Sequence, residues 1–268
     1  MRPRPIRALR RSIPRSLGFL LSRSGLLTRF VQDMAVVLAF HRVNSETAGD
    51  ALTISPREFE DHCRFVRRHF DVISLGELVR RLEKGEDTGG TLVITFDDGY
   101  CDNAEVAAPI LSKLGLPATF FLTTGFIGTD RVAPWDQHLP DPPGWMNWDQ
   151  VLELHRAGFE LGAHTVNHVD MGATPPETIR SELRDSKRTL EEFLGREVDL
   201  FAYPFGGPEN ITAEARALIK EAGFRCCPSC HGGVNPVRAD PFKLRRVPIN
   251  SWFASPSHLA GNLVLRRA

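Results

Sequence analysis

Two adjacent carboxylates and a pair of histidines are the side chains of this sequence whose types and spacing could do chemistry. Asp97 and Asp98 directly follow an apolar, β-branched run, and His164 and His168, four residues apart, follow a second strand-like run. Two imidazoles and one carboxylate form the three-ligand sites of catalytic metal ions, in which a further position stays open to water. The pattern predicts a divalent cation held by Asp98 and the two histidines. Asp97, beside the cation but not bound to it, would then take a proton from water.

Neither half of this pattern is specific when taken alone. An Asp-Asp-Gly sequence is a common turn in α/β proteins, and His-x-x-x-His pairs occur by chance in many chains. The two halves gain weight because each directly follows a predicted strand. In parallel α/β folds, catalytic side chains collect where strands end and loops begin. His41, which follows a third apolar run, either belongs to this arrangement or is a structural residue.

The elements that must position these residues are short apolar strands alternating with helices. Residues 34–40 (MAVVLAF) and 91–96 (TLVITF) are continuous apolar runs, typical of strands buried on both faces of a parallel sheet. Between these two runs, apolar residues recur at helical spacing, with Ser55-Pro56 as a helix start and Gly85 as a helix end. The alternation predicts one α/β domain, a distorted (β/α) barrel of about seven strands. The other predicted strands are residues 71–74, 117–123, 159–163, 198–203, 244–249 and a segment from Gly223.

The composition is that of an ordinary globular protein, with 42% hydrophobic and 25% charged residues. Lys+Arg and Asp+Glu balance at 33 each, so the net charge gives no sign of a nucleic-acid partner. Five cysteines in 268 residues are too few for a disulfide framework. No apolar run approaches the ~20 residues of a membrane span.

The first 34 residues differ from the rest in charge. Residues 1–29 contain eight arginines and no acidic residue, interleaved with apolar residues. The pattern indicates a basic amphipathic segment over residues 1–34, followed by a catalytic domain over residues 35–268. Its apolar part, residues 17–21, is too short for a cleaved signal. The segment either contacts an anionic membrane surface, with the protein cytoplasmic or peripheral to the cytoplasmic membrane, or packs on the outside of the domain.

Three short motifs resemble those of the polysaccharide deacetylases of the NodB-homology type, carbohydrate esterase family 4. Residues 95–99 (TFDDG) are similar to the first motif, residues 164–168 (HTVNH) to the second and residues 202–206 (AYPFG) to the third. The resemblance implies a NodB-like barrel in which Asp97 is the catalytic base.

The same resemblance implies the metal site and the groups that hold the substrate. The metal ligands would be Asp98, His164 and His168, with zinc as the first candidate and cobalt, nickel and manganese as alternatives. Phe205 and Tyr203 lie in the motif that binds the oxyanion and the substrate, and the backbone N–H of Phe205 would be the oxyanion donor.

The sequence departs from the family pattern in the residues that orient the base and supply the acid. Ala202 stands where the family often has an arginine, and the acidic partner motif, Asp-x-x-Asp-Trp, is not evident. With that pair missing, the pKa of Asp97 must be set in another way. Residues 244–249 (LRRVPI) lack the histidine of the family's Leu-x-His motif. Residues 37–43 (VLAFHRV) are instead similar to exopolysaccharide-type deacetylases, which implies that His41 protonates the leaving amine.

The activity implied is removal of an N-acetyl group, or an O-acetyl group, from an amino sugar in a polysaccharide or lipid-linked glycan, as in exopolysaccharide biosynthesis. The expected partner is an N-acetylated glycan. A deformylase or another amide hydrolase of the same fold is an alternative, because the motifs indicate the mechanism and not the acyl group. A catalytically impaired carbohydrate-binding relative is a further alternative, favoured by the missing arginine pair.

Three tryptophans lie in or beside a segment rich in glycine and proline, residues 125–147. A segment of this length without periodicity is either functional or poorly ordered. Trp135, Trp145 and Trp148 would line a sugar-binding groove or pin the segment to the core.

A cluster of thiols near the C-terminal end is also open to more than one interpretation. Cys227, Cys230 and His231 match the Cys-x-x-Cys-His pattern of c-type haem attachment, which would indicate an electron-transfer protein. With Cys226, they could instead form a second metal site or a redox-sensitive pair. Thiols without a role are the simplest alternative.

Overall fold

Strands and helices alternate along the part of the chain that the structure describes. The structure is a computed structural model, and it describes residues 26–47, 49–251 and 255–265. The strands are β1 (Met34–Phe40), β2 (Arg42–Val43), β3 (Thr53–Ile54), β4 (Asp71–Val72), β5 (Thr91–Phe96), β6 (Thr119–Leu122), β7 (Glu160–Ala163), β8 (Asn235–Pro236) and β9 (Val247–Pro248). The α-helices are α1 (Leu26–Val31), α2 (Pro56–His69), α3 (Leu75–Lys84), α4 (Ala108–Leu114), α5 (Trp148–Arg156), α6 (Pro176–Leu194), α7 (Ala213–Glu221) and α8 (Pro256–Leu265). A π-helical turn, Asn103–Ala107, precedes α4.

A seven-stranded sheet positions the candidate site. Its strand order is β7-β6-β5-β1-β8, with β4 beside β5 and β9 beside β1. All of these pairings are parallel except that of β1 with β8. Every residue of β1 and β5 is buried, as their apolar runs predict. The carboxyl ends of β1, β5, β6 and β7 therefore lie side by side at one edge of the sheet.

Beyond β7, the sheet continues as single bridges that lead back towards β1. These parallel bridges are Ala163–Phe201, Leu200–Cys226 and Gly232–Arg246. Because β9 follows Arg246 and pairs with β1, the strands form a distorted, nearly closed barrel. The predicted α/β fold class is confirmed.

The strands of the C-terminal half are shorter than predicted. Residues 198–203 contribute only bridges, and the predicted strand over residues 244–249 is reduced to β9. Pro204 ends the first of these segments and Pro248 interrupts the second. Proline has no backbone N–H to donate, but the pairing with β1 continues past Pro248, where the N–H of Ile249 donates to the carbonyl oxygen of Ala39.

The helix ends agree with the predicted caps. Ser55 begins α2 through a capping box, in which its hydroxyl accepts from the backbone N–H of Glu58 and the Glu58 carboxylate accepts from the N–H of Ser55. Gly85 ends α3 with a φ of 66°, a left-handed conformation that favours glycine. These caps set the lengths of the helices that cover the sheet.

The structure describes the predicted N-terminal segment only from Leu26 onward. Residues 1–25 lie outside the described residues, so membrane contact through this segment and the domain boundary at residue 34 stay predictions. Helix α1 packs through Leu27 and Val31 against Met34 and Ala260. None of the helices in the described ranges is long and apolar enough to cross a bilayer.

Candidate active site

The three predicted metal ligands meet at the ends of the two strands that flank β6. Asp98 follows β5, His164 directly follows β7, and His168 lies in the loop beyond it. Nε2 of His164 and Nε2 of His168 lie 3.4 Å and 3.2 Å from Oδ1 of Asp98. All three side chains are buried, and one ligand atom from each lies within 4.8 Å of the others. The structure therefore brings together the residues predicted to hold a cation.

The hydrogen bonding of His164 fits a cation at this position. Its Nδ1 lies 2.8 Å from the carbonyl oxygen of Ala202, which can only accept, so Nδ1 carries the hydrogen and donates it. With its hydrogen on Nδ1, the ring can present the lone pair of Nε2 towards the Asp98 carboxylate, and a cation between the two would bind both. A backbone acceptor for the second ring nitrogen is usual for metal-binding histidines.

The spacing of the ligand atoms gives a second test of the fit. Two ligands bound tetrahedrally to zinc at about 2.1 Å lie about 3.4 Å apart. The separations from Asp98 Oδ1 to the two imidazole nitrogens, 3.4 Å and 3.2 Å, match this value. In the described part of the chain, Oδ1 of Asp98 is also buried without a hydrogen-bond donor. The residues present therefore fit a divalent cation.

Burial and neighbouring groups set the protonation of the ligands. Burial alone would raise the pKa of the Asp98 carboxyl, but the imidazoles of His164 and His168 outweigh it and hold that pKa well below its usual range. Burial lowers the pKa of His168, which favours its neutral ring. An ionised carboxylate and a neutral imidazole are the forms that bind metal ions.

The backbone is strained where the site is built. Among the described residues, four that are not glycine have a positive φ: Asp98 (75°), Thr165 (65°), His168 (54°) and Phe205 (60°). Such conformations cost about 1–3 kcal/mol each and persist only where the surroundings enforce them. All four lie in the loops that carry or border the candidate ligands.

A carboxylate from α6 holds the loop between the two histidines. Glu182 is 7% exposed and accepts hydrogen bonds from the backbone N–H groups of Val166 and Asn167 and from the Asn167 side-chain amide. A buried carboxylate is costly unless donors surround it, and here three do. Glu182 therefore fixes His164 and His168 relative to each other.

Asp97 is paired with an arginine that the sequence analysis did not identify. Arg246, just before β9, donates from Nη1 to Oδ1 and from Nη2 to Oδ2 of Asp97, both at 2.7 Å. It also donates to Oγ1 of Thr95 and to the carbonyl oxygen of Ser229. Burial alone would raise the pKa of Asp97, but Arg246 outweighs it and lowers that pKa, so the carboxylate stays ionised. Arg246 thus orients the candidate base, for which position 202 offers only an alanine.

The sequence carried a signal for this pairing, an arginine inside an apolar run. Along an extended segment alternate side chains share a face, so residue 246 falls with Leu244, and Arg245 falls on the other face. The structure agrees, since Leu244 and Arg246 are buried and Arg245 is exposed. Sequence alone does not show which carboxylate lies opposite, because 149 residues separate Arg246 from Asp97.

Replacing Arg246 with Met is expected to slow the reaction about 10²-fold and to lower the free energy of unfolding by about 3 kcal/mol, because Asp97 becomes an unpaired buried charge. The pKa of Asp97 is lowered in the folded wild type, so its contribution to stability is present above its ordinary pKa and is lost on acidification. In the variant, protonation relieves the buried charge. The stability difference is therefore expected to shrink as the pH falls from about 7 towards about 4.

Urea unfolding at several pH values measures this effect. Arg245→Met is the matched control, because Arg245 is the exposed neighbour, and it is expected to change stability by less than about 0.5 kcal/mol. Equal effects of the two substitutions would contradict the pairing of Arg246 with Asp97.

His41, the predicted acid, follows β1, the strand next to β5. Its Nε2 lies 3.9 Å from Oδ2 of Asp97, and its side chain is 15% exposed. Its backbone carbonyl oxygen accepts a hydrogen bond from Nδ2 of Asn103 at 2.7 Å. His41 therefore reaches the same cavity as the base, and its role as proton donor stays a prediction.

Phe205 lies at the edge of the cavity. It is 53% exposed, and its ring centroid lies 4.6 Å from that of His168. The next residue, Gly206, has a φ of 62°, and a Cβ there would lie 2.4 Å from the backbone nitrogen of Cys230. The oxyanion role of the Phe205 backbone N–H stays a prediction.

Tyr203 does not reach the cavity. Its side chain is buried in the main hydrophobic core, and its hydroxyl lies 3.5 Å from Sγ of Cys227. Its ring packs edge-on against Phe201 at a centroid distance of 6.0 Å. The predicted contact of Tyr203 with the substrate is therefore corrected, because this part of the motif is the end of a core segment rather than a loop.

The three tryptophans divide between the two predicted roles. Trp145 stacks on Tyr100 at a centroid distance of 4.5 Å, and Trp148 packs against Phe193 at 4.7 Å, so both pin structural elements. Trp135 lines the cavity.

The thiol cluster does not form a haem attachment site. Cys227 is 1% exposed, and burial raises its pKa to about 12. A thioether bond to haem requires an accessible thiol. Cys226 is also buried, whereas Cys230 borders the cavity, where burial raises its pKa to about 11.

A single cavity joins the candidate base, acid and metal ligands. Its volume is about 370 Å³, within the range of small-molecule sites. Around the charged groups, its walls are mostly apolar and include Leu52, Trp135, Pro248 and Ile249. A carboxylate base, a proton donor and a cation site with apolar walls are suited to hydrolysis of a small acyl group.

Comparison with known proteins agrees with this chemistry. Residues 84–227 match the family model described as polysaccharide deacetylase. The chain belongs to this family. The matched range contains Asp97, Asp98, both candidate histidine ligands and Phe205, whereas His41 and Arg246 lie outside it.

This polysaccharide deacetylase is 28% identical over 216 residues to YxkH of Bacillus subtilis (strain 168), provisionally named a polysaccharide deacetylase, and the match covers 80% of this chain and 71% of YxkH. It is 23% identical over 220 residues to the poly-β-1,6-N-acetyl-D-glucosamine N-deacetylase of Staphylococcus aureus (strain MSSA476), covering 74% of this chain and 72% of that protein. The structure of IcaB from Ammonifex degensii superposes with a TM-score of 0.73 at 23% identity, covering 85% of this chain and 97% of IcaB. This likeness shows the shared fold.

Proposed function

We propose that this chain is a metal-dependent hydrolase that removes N-acetyl groups from amino sugars of a polysaccharide or a lipid-linked glycan. The observation that carries the proposal is the meeting, in one cavity, of the cation site at Asp98, His164 and His168 with Asp97 and His41. Membership of the polysaccharide deacetylase family supports deacetylation as the reaction.

In this proposal Asp97 is the base. Its carboxylate is ionised and held by Arg246, so it accepts a proton as the oxygen of a water molecule bonds to the acetamide carbonyl carbon. The backbone N–H of Phe205 donates to the carbonyl oxygen as negative charge develops there.

His41 completes the proposed reaction as the acid. It gives a proton to the sugar nitrogen as the carbon–nitrogen bond breaks, so that the nitrogen leaves as an amine and not as a far less stable anion. The acetate takes the oxygen of the water, and the sugar keeps a free amine.

Asp98, His164 and His168 would hold the divalent cation, with zinc as the first candidate. When bound, such an ion polarises the carbonyl group and lowers the pKa of water. Imidazole and carboxylate ligands also suit other first-row divalent ions, so cobalt, nickel and manganese remain alternatives in the proposal.

Acetate release from N-acetylated glycans tests the proposed function. Oligomers of β-1,6-linked N-acetylglucosamine are the first substrates, because the Staphylococcus aureus relative is named for that polymer. Lipid-linked N-acetylated precursors are the second. We expect acetate and new primary amine in equal amounts from the wild type, and release of formate from N-formylated sugars alone would support the deformylase alternative.

The alternative of a catalytically impaired relative loses its main argument in the structure. It was favoured by the missing arginine beside the base, and Arg246 supplies that group. Binding of the glycan without acetate release at any metal concentration would restore this alternative.

Replacing His41 with Ala is expected to slow acetate release from an N-acetylated sugar about 10²- to 10³-fold, because the amine cannot leave without a proton. On 4-nitrophenyl acetate the loss is expected to be about tenfold at most, because the phenolate leaves without protonation. His155→Ala is the control, since His155 lies in the last turn of α5 and does not line the cavity. Equal losses on the two substrates would contradict the assignment of His41 as the acid.

A further inference from the structure

Trp135 lines the cavity beside a candidate metal ligand. It is half-buried and lines the cavity, with its ring centroid 4.3 Å from that of His168 and 6.1 Å from that of Phe205. An indole offers a large, rigid apolar surface, on which the C–H face of a pyranose can pack. The segment that carries it, residues 125–147, is described throughout and contains neither helix nor strand. Its position must therefore come from side-chain contacts.

A chain of hydrogen bonds connects Trp135 to Arg42, the first residue of β2. Its Nε1–H donates to the hydroxyl of Tyr100 at 2.8 Å, and that hydroxyl donates to Oδ2 of Asp136 at 2.7 Å. Oδ1 of Asp136 accepts from Nη1 of Arg42, also at 2.7 Å. Arg42 and Tyr100 are 0% exposed and Asp136 is 1% exposed. The Tyr100 hydroxyl thus uses its one donor and one acceptor to join the indole to an ion pair.

The same arginine also ties down a second segment that lines the cavity. Nη2 of Arg42 donates to the carboxylate of Asp50, and the next two residues, Ala51 and Leu52, line the cavity. Arg42 directly follows His41, so one buried side chain links both segments to the strand end that carries the candidate acid. A buried ion pair is weak evidence for stability, and its best-attested use is to specify one arrangement among several.

We propose that Tyr100, held by the buried ion pair of Asp136 and Arg42, is a positioning residue that fixes Trp135 as the wall on which the sugar ring of the substrate packs. This inference rests on the proposed function and extends it to substrate binding. Ordering the indole before the glycan arrives lowers the cost of binding. Because these residues do not touch the reacting atoms, the network should set the KM for the glycan much more than kcat.

Steady-state kinetics of Tyr100→Phe on a β-1,6-linked N-acetylglucosamine oligomer tests the proposal. This substitution removes the one hydroxyl that joins Asp136 to Trp135, and we expect KM to rise about tenfold with kcat within about threefold. Trp135→Ala is expected to raise KM at least as much. Trp148→Ala is the matched control, because Trp148 packs against Phe193 outside the cavity, and it should leave KM unchanged.

The double variant decides whether Tyr100 acts through Trp135. If it does, Tyr100→Phe should add nothing to the KM of Trp135→Ala, whereas independent effects would multiply. An unchanged KM in Tyr100→Phe, or multiplying effects, would overturn the proposal. Thermal unfolding checks that the variants are folded. If Tyr100→Phe does not fold, Asp136→Asn is used in its place, because it weakens the same chain of hydrogen bonds.

A binding measurement separates this inference from the proposed function. If the wild type releases no acetate from any N-acetylated glycan, the proposed function fails, and quenching of tryptophan fluorescence by the same oligomer then tests the wall. Binding about tenfold weaker in Tyr100→Phe than in the wild type would support the role of Trp135 in binding the sugar, independently of the proposed function. Equal binding, or no binding by the wild type, would overturn it.

Discussion

Replacing Asp97 with Asn is expected to lower the rate of acetate release at least about 10³-fold while the protein keeps its metal. The amide cannot accept the proton of the attacking water. The variant should fold, because asparagine has nearly the same volume and its oxygen can still accept from Arg246. The free energy of unfolding is expected to fall by about 2–3 kcal/mol, since the buried guanidinium loses its counter-charge. Acetate release and bound metal per chain are the measurements.

Asp98→Asn is the matched comparison for this prediction. The substitution is identical and lies one residue away, but it alters the carboxylate that lies 3.4 Å and 3.2 Å from the two imidazoles. Asp98→Asn is therefore expected to lose both metal and activity, whereas Asp97→Asn loses activity alone. Loss of metal from Asp97→Asn, or full activity in Asp98→Asn, would show that the two roles have been assigned wrongly.

Replacing His168 with Ala is expected to lower metal affinity more than about 10²-fold and acetate release about 10³-fold. The loss follows because two ligands, Asp98 and His164, hold a divalent ion much less firmly than three. The Trp135 and Phe205 rings, at centroid distances of 4.3 Å and 4.6 Å from the His168 ring, should keep the loop folded around the gap. Metal content after dialysis against a fixed concentration of free zinc measures the affinity.

The control for this prediction is a histidine remote from the site. His155, in the last turn of α5, should tolerate substitution by Ala with no change in bound metal or acetate release. Added zinc should restore part of the activity of His168→Ala, because excess ion compensates for weaker binding. Activity of His168→Ala equal to that of the wild type, at a zinc level that leaves the variant empty, would refute the metal site.

The site residues that sequence analysis could predict are those for which one short segment indicates both the polar side chain and its position in the fold. An apolar run that ends in Asp97 and Asp98 indicates both a buried strand and the polar groups at its end. The same holds for His164 after β7 and His41 after β1. Because carboxyl ends of parallel strands share an edge of the sheet, these local patterns were enough to place the candidate base, the candidate acid and the candidate ligands in one cavity.

The parts that sequence analysis missed depend on contacts between distant segments. Arg246 differs from its neighbour Arg245 only in the face of the strand that it occupies, and its partner is 149 residues away. Tyr203 lies in a motif but packs into the core, a direction that the motif does not encode. The position of Trp135 depends on Tyr100 and Arg42, which lie in or beside recognised motifs, but those motifs do not indicate the partners of these two side chains.

The short C-terminal strands were overestimated for a related reason. Apolar runs such as residues 198–203 do enter the sheet, but they pair with their neighbours only through single bridges. An apolar run correctly predicts that a segment is buried, but it does not predict how many of its residues pair with a neighbouring strand. The fold class depends on which segments are buried, and it was therefore predictable.

The most direct test of the account is to titrate zinc into metal-free protein while acetate release from a β-1,6-linked N-acetylglucosamine oligomer is followed. The account predicts no acetate before the first addition, and a rate that rises in proportion to added zinc and levels off at one ion per chain. Full acetate release from the metal-free protein, or a plateau reached equally by a variant that lacks His164 and His168, would contradict it.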